Sequence, residues 1–337
     1  MKEILLISND EIFLNKKKIS SDYNDTINII EAINQAYNIF LISKKSKLKK
    51  NFLLKTKNRI TNVNFKLLSY LKKKKLKILM ISITPRNLLC YILLKLLIRN
   101  IDGYVYLRSN GHKEYKQKIG LFGYLIYDIM QKYLERNLKT ISVSKKIISS
   151  KNTSLVTPSE LNQKWFKKNK KVNLHTPKLL YFGRFKKEKG VYSLMDLFSK
   201  LRSNCKLTIA GDSNIDVLEN KNINFINEIS DQKEIIKLYD SHNIFILPSF
   251  TEGSPKVILE SLARKRPVII FKEIKHVKLN FKGIFVCDRN IISLKKKINF
   301  IMNNYKKIQF DIKKNKLPTK KNFQNKLTNI LNAKIIN

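Results

Sequence analysis

The chain has 337 residues, 43% of them hydrophobic, and 68 Lys or Arg against 25 Asp or Glu give a formal net charge of +43. That is enough apolar material for two domains with separate cores. Cys90, Cys205 and Cys287 are far apart and odd in number, which argues against a disulfide framework or a zinc cluster and for a reducing cytoplasm. The apolar run after Met1 is too short for a signal peptide.

In chain order, Ile4 to Ser8 reads as a strand, Asp25 to Tyr37 as a helix, and Ile39 to Ile42 and Ile78 to Ile83 as further strands. Leu88 to Ile98 is strongly apolar but interrupted by Lys95, and it is too short to cross a bilayer. Tyr104 to Leu107 reads as a strand breaking into the polar loop Arg108-Ser109-Asn110-Gly111-His112. Ile119 to Met130 is apolar over most of its circumference. Two readings stay open for it: a buried helix of the first domain, or a peripheral surface that rests on an anionic membrane. Thr140 to Ser144 reads as the last strand of the first domain.

The second half is more informative. Pro177 to Phe182 reads as a strand entering a loop with Gly183, Arg184 and Lys189, where the glycine allows a sharp turn and the two cations suit a diphosphate. Asn243 to Leu247 is a buried strand closed by Pro248-Ser249, and a loop carrying Glu252, Gly253 and Ser254 leads into a helix begun by Pro255 and Lys256. That helix is expected to run to about Lys265, with Glu260 about two turns in, before the strand Pro267 to Phe271. Strand, loop, helix and strand form a βαβ unit whose loop lies at the carboxyl end of a parallel sheet, where open α/β folds bind ligands. Free N–H groups from Gly253 to Lys256 would face an anion, and the two glutamates would grip hydroxyls on either side of it. The ligand class is then a nucleotide sugar. An isolated pair of glutamates on so basic a surface would otherwise read as solvated partners of lysines.

These segments resemble the nucleotide-sugar half of glycosyltransferase family 4. The resemblance runs over roughly residues 177 to 271 and is carried by Gly183-Arg184, Lys189-Gly190, Ala210-Gly211-Asp212, Leu247-Pro248-Ser249, Glu252 through Glu260 and Pro267-Val268-Ile269. It implies an α/β protein of GT-B architecture, two Rossmann-like domains facing a cleft, with residues 1–157 the acceptor-side domain, 158–176 a linker and 177–337 the donor domain. The final helix is expected to cross back onto the first domain.

The resemblance further implies that Arg184 and Lys189 bind the donor diphosphate, that Glu252 with Gly253 and Ser254 holds the sugar, and that Glu260 accepts from the ribose hydroxyls. Phe225 to Ile229 would meet the base, and His112 would face the reacting sugar. Transfer would retain anomeric configuration, by front-face displacement, with no metal or other cofactor. The partners implied are a nucleotide-sugar donor and a glycan or lipid-linked acceptor of bacterial surface polysaccharide or lipopolysaccharide synthesis; the cysteine usage and the Ile119 to Met130 stretch put the expected location in the cytoplasm, peripheral to the membrane. Two departures stand out. Lys265 occupies a place where the family often has glycine, and Ser8 to Phe13 lacks the common glycine-rich loop.

Lysine runs at 44–50, 72–77, 164–171 and 313–321 give a field that attracts polyanions of any kind. Abundant Lys, Ile and Asn also fit a drift in composition. A nucleic-acid-binding protein is the rival class, supported by charge alone and without a recognisable binding motif. A catalytically silent GT-B protein is the third.

Overall fold

The structure is a computed structural model that describes residues 2–15, 18–72, 76–98, 101–145, 147, 153–167, 172–201, 204–211, 221–278 and 280–333. Asp212 and parts of the lysine runs at 72–77 and 164–171 lie outside the described residues. The chain divides into two units: residues up to Pro158 together with the segment from Lys320 onward, and Ser159–Thr319.

The first unit contains β1 (Lys2–Asn15), β2 (Lys18–Ser21), α1 (Asn24–Asn34), β3 (Tyr37–Lys45), β4 (Phe52–Lys55), β5 (Ile60–Asn62), α2 (Phe65–Lys72) and β6 (Leu76–Ile81). It continues through α3 (Pro85–Leu97), β7 (Ile101–Leu107), α4 (Gly111–Asn137), β8 (Lys139–Ser142) and β9 (Thr153–Leu155). Among the described residues the parallel order is β5-β3-β1-β6-β7-β8-β9. Ile4, Leu5, Leu6 and Ile7 are all fully buried because a central parallel strand is covered on both faces. Ile4 and Leu6 pack toward Ile27 and Ile30 of α1, and Leu5 and Ile7 toward Tyr91 of α3 and Tyr127 and Leu134 of α4.

β1 does not stop at Ser8. Its register shifts between Ile7 and Glu11, and the distal half pairs antiparallel with β2, which pairs with β4. Where the sequence lacks a glycine-rich loop, the chain builds this ribbon.

The second unit comprises α5 (Gln163–Phe166), β10 (Lys178–Phe182), α6 (Val191–Ser199), β11 (Lys206–Ala210), β12 (Ile223–Ile226), α7 (Gln232–Asp240) and β13 (Ile244–Leu247). Then come α8 (Lys256–Ala263), β14 (Val268–Phe271), β15 (Ile284–Cys287), α9 (Ile291–Asn303) and α10 (Tyr305–Lys313). Its sheet is parallel in the order β12-β11-β10-β13-β14-β15. Residues 159–167, expected to be linker, belong to this unit: Trp165 sits in its core and Ser159 Oγ donates to the Pro318 carbonyl at 2.6 Å.

α11 (Lys320–Asn332) returns to the first unit. Phe323, Leu327 and Leu331 join the core around α1, Tyr104 Oη donates to the Ile330 carbonyl at 2.9 Å, and Tyr37 Oη donates to Asn332 Oδ1 at 2.7 Å.

Lys265, where glycine was the familiar residue, adopts φ +56°, so the left-handed turn after α8 is kept and a lysine carries its strain. Beside it Arg264 is buried, with Nε and Nη2 on the two oxygens of Asp240 at 2.9 and 2.7 Å.

Candidate active site

In the second unit the loops after the adjacent strands β10 and β13 meet. The loop after β10 holds Gly183 and Arg184, forms a 3-10 turn over Lys187–Lys189 and enters α6 through Gly190. The loop after β13 holds Ser249, Glu252, Gly253 and Ser254, and Pro255 is the N-cap residue of α8. Lys189 Nζ lies 2.7 Å from Glu252 Oε1, and Ser249 Oγ donates to the same oxygen at 2.6 Å. The Glu252 carbonyl accepts from His276 Nε2 at 2.8 Å, which fixes the proton on that nitrogen.

Other bonds hold the two loops in register. Phe250 N–H donates to the Glu188 carbonyl at 2.9 Å. The Arg289 guanidinium lies 4.1 and 4.3 Å from the ring centroids of Phe250 and Phe271, and its Nη2 donates to the Pro248 carbonyl at 2.8 Å. Gly190 sits at φ +68°, and a Cβ there would lie 2.0 Å from the Pro248 oxygen, so no other residue fits without moving the loop. Gly183 has no positive φ; it continues the ladder by donating to the Ala210 carbonyl at 3.0 Å. The sharp turn expected at Gly183 therefore falls at Gly190.

Arg184 is exposed, and among the described residues its guanidinium has no carboxylate partner. No side chain caps α8, which leaves first-turn N–H groups for an anion. Glu260 lies one turn into α8 rather than two, because the helix starts at Lys256. It is buried, and burial pushes its carboxyl up to about 7, opposed by the Tyr239 hydroxyl, which donates to Oε2 at 2.9 Å. Lys256 pairs with Glu160. Ile229, half-buried, follows β12 at the sheet edge.

His112 lies in the first turn of α4 in the first unit, not in a loop, because Asn110 caps that helix by accepting from Lys113 N–H. Its Nε2 is 3.2 Å from Asp128 Oδ1, and its ring packs against Tyr124 and Tyr127 at centroid distances of 4.8 and 4.9 Å. Arg108 is spent internally: Nη1 and Nη2 contact Asp10 at 3.1 and 3.3 Å, and Nε donates to Ser82 Oγ at 3.0 Å. Ser82 sits at φ +66°.

Sequence reasoning did not single out Tyr239, His276 or Arg289. Tyr239 and His276 act on glutamates far away in sequence, and Arg289 in Asp288-Arg289-Asn290 has no motif around it.

Residues 162–317 match the family model described as glycosyl transferases group 1. A capsular polysaccharide biosynthesis glycosyltransferase, CapM of Staphylococcus aureus, is 32% identical over 102 residues, 26% of either chain. The matched segments span about a quarter of the length of the first curated relatives, 23% and 26%. Among solved structures, the sucrose-phosphate synthase of Thermosynechococcus elongatus superposes with a TM-score of 0.69 at 16% identity, covering 98% of this chain and 95% of that one. The Alr3699/HepE protein of Anabaena, solved in complex with UDP-glucose, superposes with a TM-score of 0.68 at 12% identity over 98% and 99%. At such identities these likenesses establish the fold.

Proposed function

We propose, from the match of residues 162–317 to the glycosyl transferases group 1 model and the GT-B fold of the whole chain, that the chain moves a sugar from a nucleotide-diphosphate donor to a glycan or lipid-linked acceptor, with retention of configuration. The observation that carries the reading is the meeting of Lys189, Glu252 and the uncapped start of α8 at the ends of β10 and β13. Arg184 and Lys189 take the diphosphate, and their attraction grows as the leaving nucleotide gains charge. Lys189 exchanges Glu252 for phosphate on donor binding, which frees the carboxylate for sugar hydroxyls. Backbone groups of Gly253 and Ser254 border the same space. Glu260, one oxygen held by Tyr239, offers the other to the ribose. Ile229 lies beside the base. His112, oriented by Asp128, is kept as the proposed catalytic residue of the first unit. No metal or cofactor enters this scheme.

The UDP-glucose of the Anabaena structure and the capsular role of the Staphylococcus relative favour a nucleotide-sugar donor and bacterial surface polysaccharide or lipopolysaccharide synthesis. The test is calorimetry of the purified chain against UDP-, GDP- and ADP-sugars at moderate salt. Saturable binding of one donor class, lost in Arg184→Ala, is the expected result. No donor binding, with tight nucleic-acid binding that collapses as salt rises, would sink it.

A further inference from the structure

The outer face of the helix layer formed by α3 and α4 is apolar. Both helices bury their inner faces in the same core, through Tyr91 and Leu94 on one and Tyr127, Met130 and Leu134 on the other. Lys95 near the end of α3 bonds Asn137 at the end of α4, so the two lie side by side. The surface of such a layer ordinarily carries polar residues. Here α3 turns outward Leu89, Leu93 and Leu96, exposed by 58%, 51% and 79%. α4 turns outward Leu121, Phe122, Leu125 and Ile129, exposed by 67%, 70%, 51% and 69%. At 100° per residue these four α4 positions share one face, opposite the buried Gly123, Tyr127, Met130 and Leu134. Ile119 and Gly120 leave helical geometry and break α4 just before this stretch. The expectation of a buried helix at Ile119 to Met130 therefore holds for one side only.

The exposed charges of α4 are cations. Lys116 and Lys118 precede it, and Lys132 and Arg136 continue the same face of α4 toward its end, all exposed. The three acids of α4, Glu114, Asp128 and Glu135, are half-buried; Asp128 pairs with Lys132 at 2.7 Å and Glu135 accepts from Gln131 at 2.8 Å. A contiguous apolar ridge rimmed by cations, on a chain of net charge +43, fits a surface that is apolar within and anionic at its boundary. A second copy of the chain would bring an equal positive charge against the first. Among the described residues no helix is long and apolar enough to span a bilayer.

We propose that the outer face of α3 and α4 docks the first unit on an anionic phospholipid surface, with Leu121, Phe122, Leu125 and Ile129 entering the acyl boundary and Lys132 and Arg136 on the head groups. The docking does not depend on the donor reading. Where that reading holds as well, it brings the enzyme to lipid-linked acceptors.

The test is co-sedimentation of the full chain with vesicles of phosphatidylcholine alone or mixed equally with phosphatidylglycerol. Phe122→Asp with Leu125→Asp changes two exposed side chains, and far-UV circular dichroism together with donor calorimetry reports whether the variant is folded. Wild type is expected to partition onto the anionic vesicles, and the double variant about 10-fold or more weakly, from the lost apolar burial. Lys132→Glu with Arg136→Glu removes the rim and is expected to lower anionic partitioning to the level on phosphatidylcholine. Equal partitioning of wild type and the Phe122, Leu125 variant would overturn the proposal, since lysines alone would then account for binding. Absence of vesicle binding, with a concentration-dependent dimer abolished by the same variant, would also overturn it and assign the face to a second copy. Loss of donor binding in wild type would sink the donor reading and leave the vesicle result intact.

Discussion

At the carboxyl end of the first sheet the half-buried Arg108 is held by Asp10, with Ser82 and Thr26 completing its hydrogen bonds. At the carboxyl end of the second sheet Arg184 stands exposed, and Lys189 is held by the same Glu252 that the proposed reaction needs. Both places are loop ends of parallel sheets. In the first, charge ties β1 to the ends of β6 and β7 and is structural; in the second, it is the charge that the proposed reaction would use. The difference lies in what surrounds the cation. The two pairs are buried alike, with side chains 21% and 9% exposed in the first and 23% and 10% in the second; a guanidinium on both oxygens of one carboxylate is fixed, whereas an ammonium on one oxygen can trade one anion for another.

The largest effect should come from breaking the structural side. Arg108→Leu strands Asp10 as an uncompensated buried charge and is expected to cost about 3–5 kcal/mol in urea unfolding. A cost under about 1 kcal/mol would mean that water already reaches the pair and that the contrast between the two sheets is false. On the second side, Lys189→Ala and Glu252→Gln should each slow transfer by about 10²-fold with little change in unfolding midpoint. Turnover near that of wild type in both would remove the proposed site.

Glu260 belongs to both regimes, being buried like Asp10 and yet assigned to a ligand. Its folded-state carboxyl is raised to about 7 from an ordinary value of 4.5. The group thus favours folding below the unfolded value, and that contribution is lost as pH rises through about 7. Glu260→Gln should leave stability unchanged near pH 4 and raise it by about 3 kcal/mol near pH 8, while weakening donor binding. Equal stabilisation at both pH values would mean that the carboxylate is not desolvated. The smallest effect is expected at Lys265, where glycine would relieve a left-handed lysine. Lys265→Gly should stabilise by about 0.5–1 kcal/mol in thermal unfolding, the relief being partly offset by unfolded-state entropy.

How much of this was legible varies with the range of the interaction. The βαβ run from Asn243 to Phe271 was readable because buried parallel strands are continuous apolar runs and its loops carry turn residues. The residues gathered at Lys189 and Glu252 were readable for the same reason, since each sits at a fixed offset from its strand. The sequence puts His112 in a loop, because the capping role of Asn110 shows only where its Oδ1 meets Lys113 N–H. The extent of β1 was missed because its second half, Asn9 to Asn15, is polar enough to pass for a loop until β2 and β4 pair with it. Tyr239 and Arg289 could not have been found, because each bears on the site through a contact between segments far apart in sequence.

The return of α11 to the first unit sets an order of events during synthesis. The second unit is one uninterrupted stretch, Ser159–Thr319, so everything its core requires has been synthesised before α11 is made. The first unit, although translated earlier, must wait with the face of α1 uncovered until Phe323, Leu327 and Leu331 arrive. The part of the chain born first is therefore finished last, and in the interval its exposed isoleucines are the natural target of a chaperone.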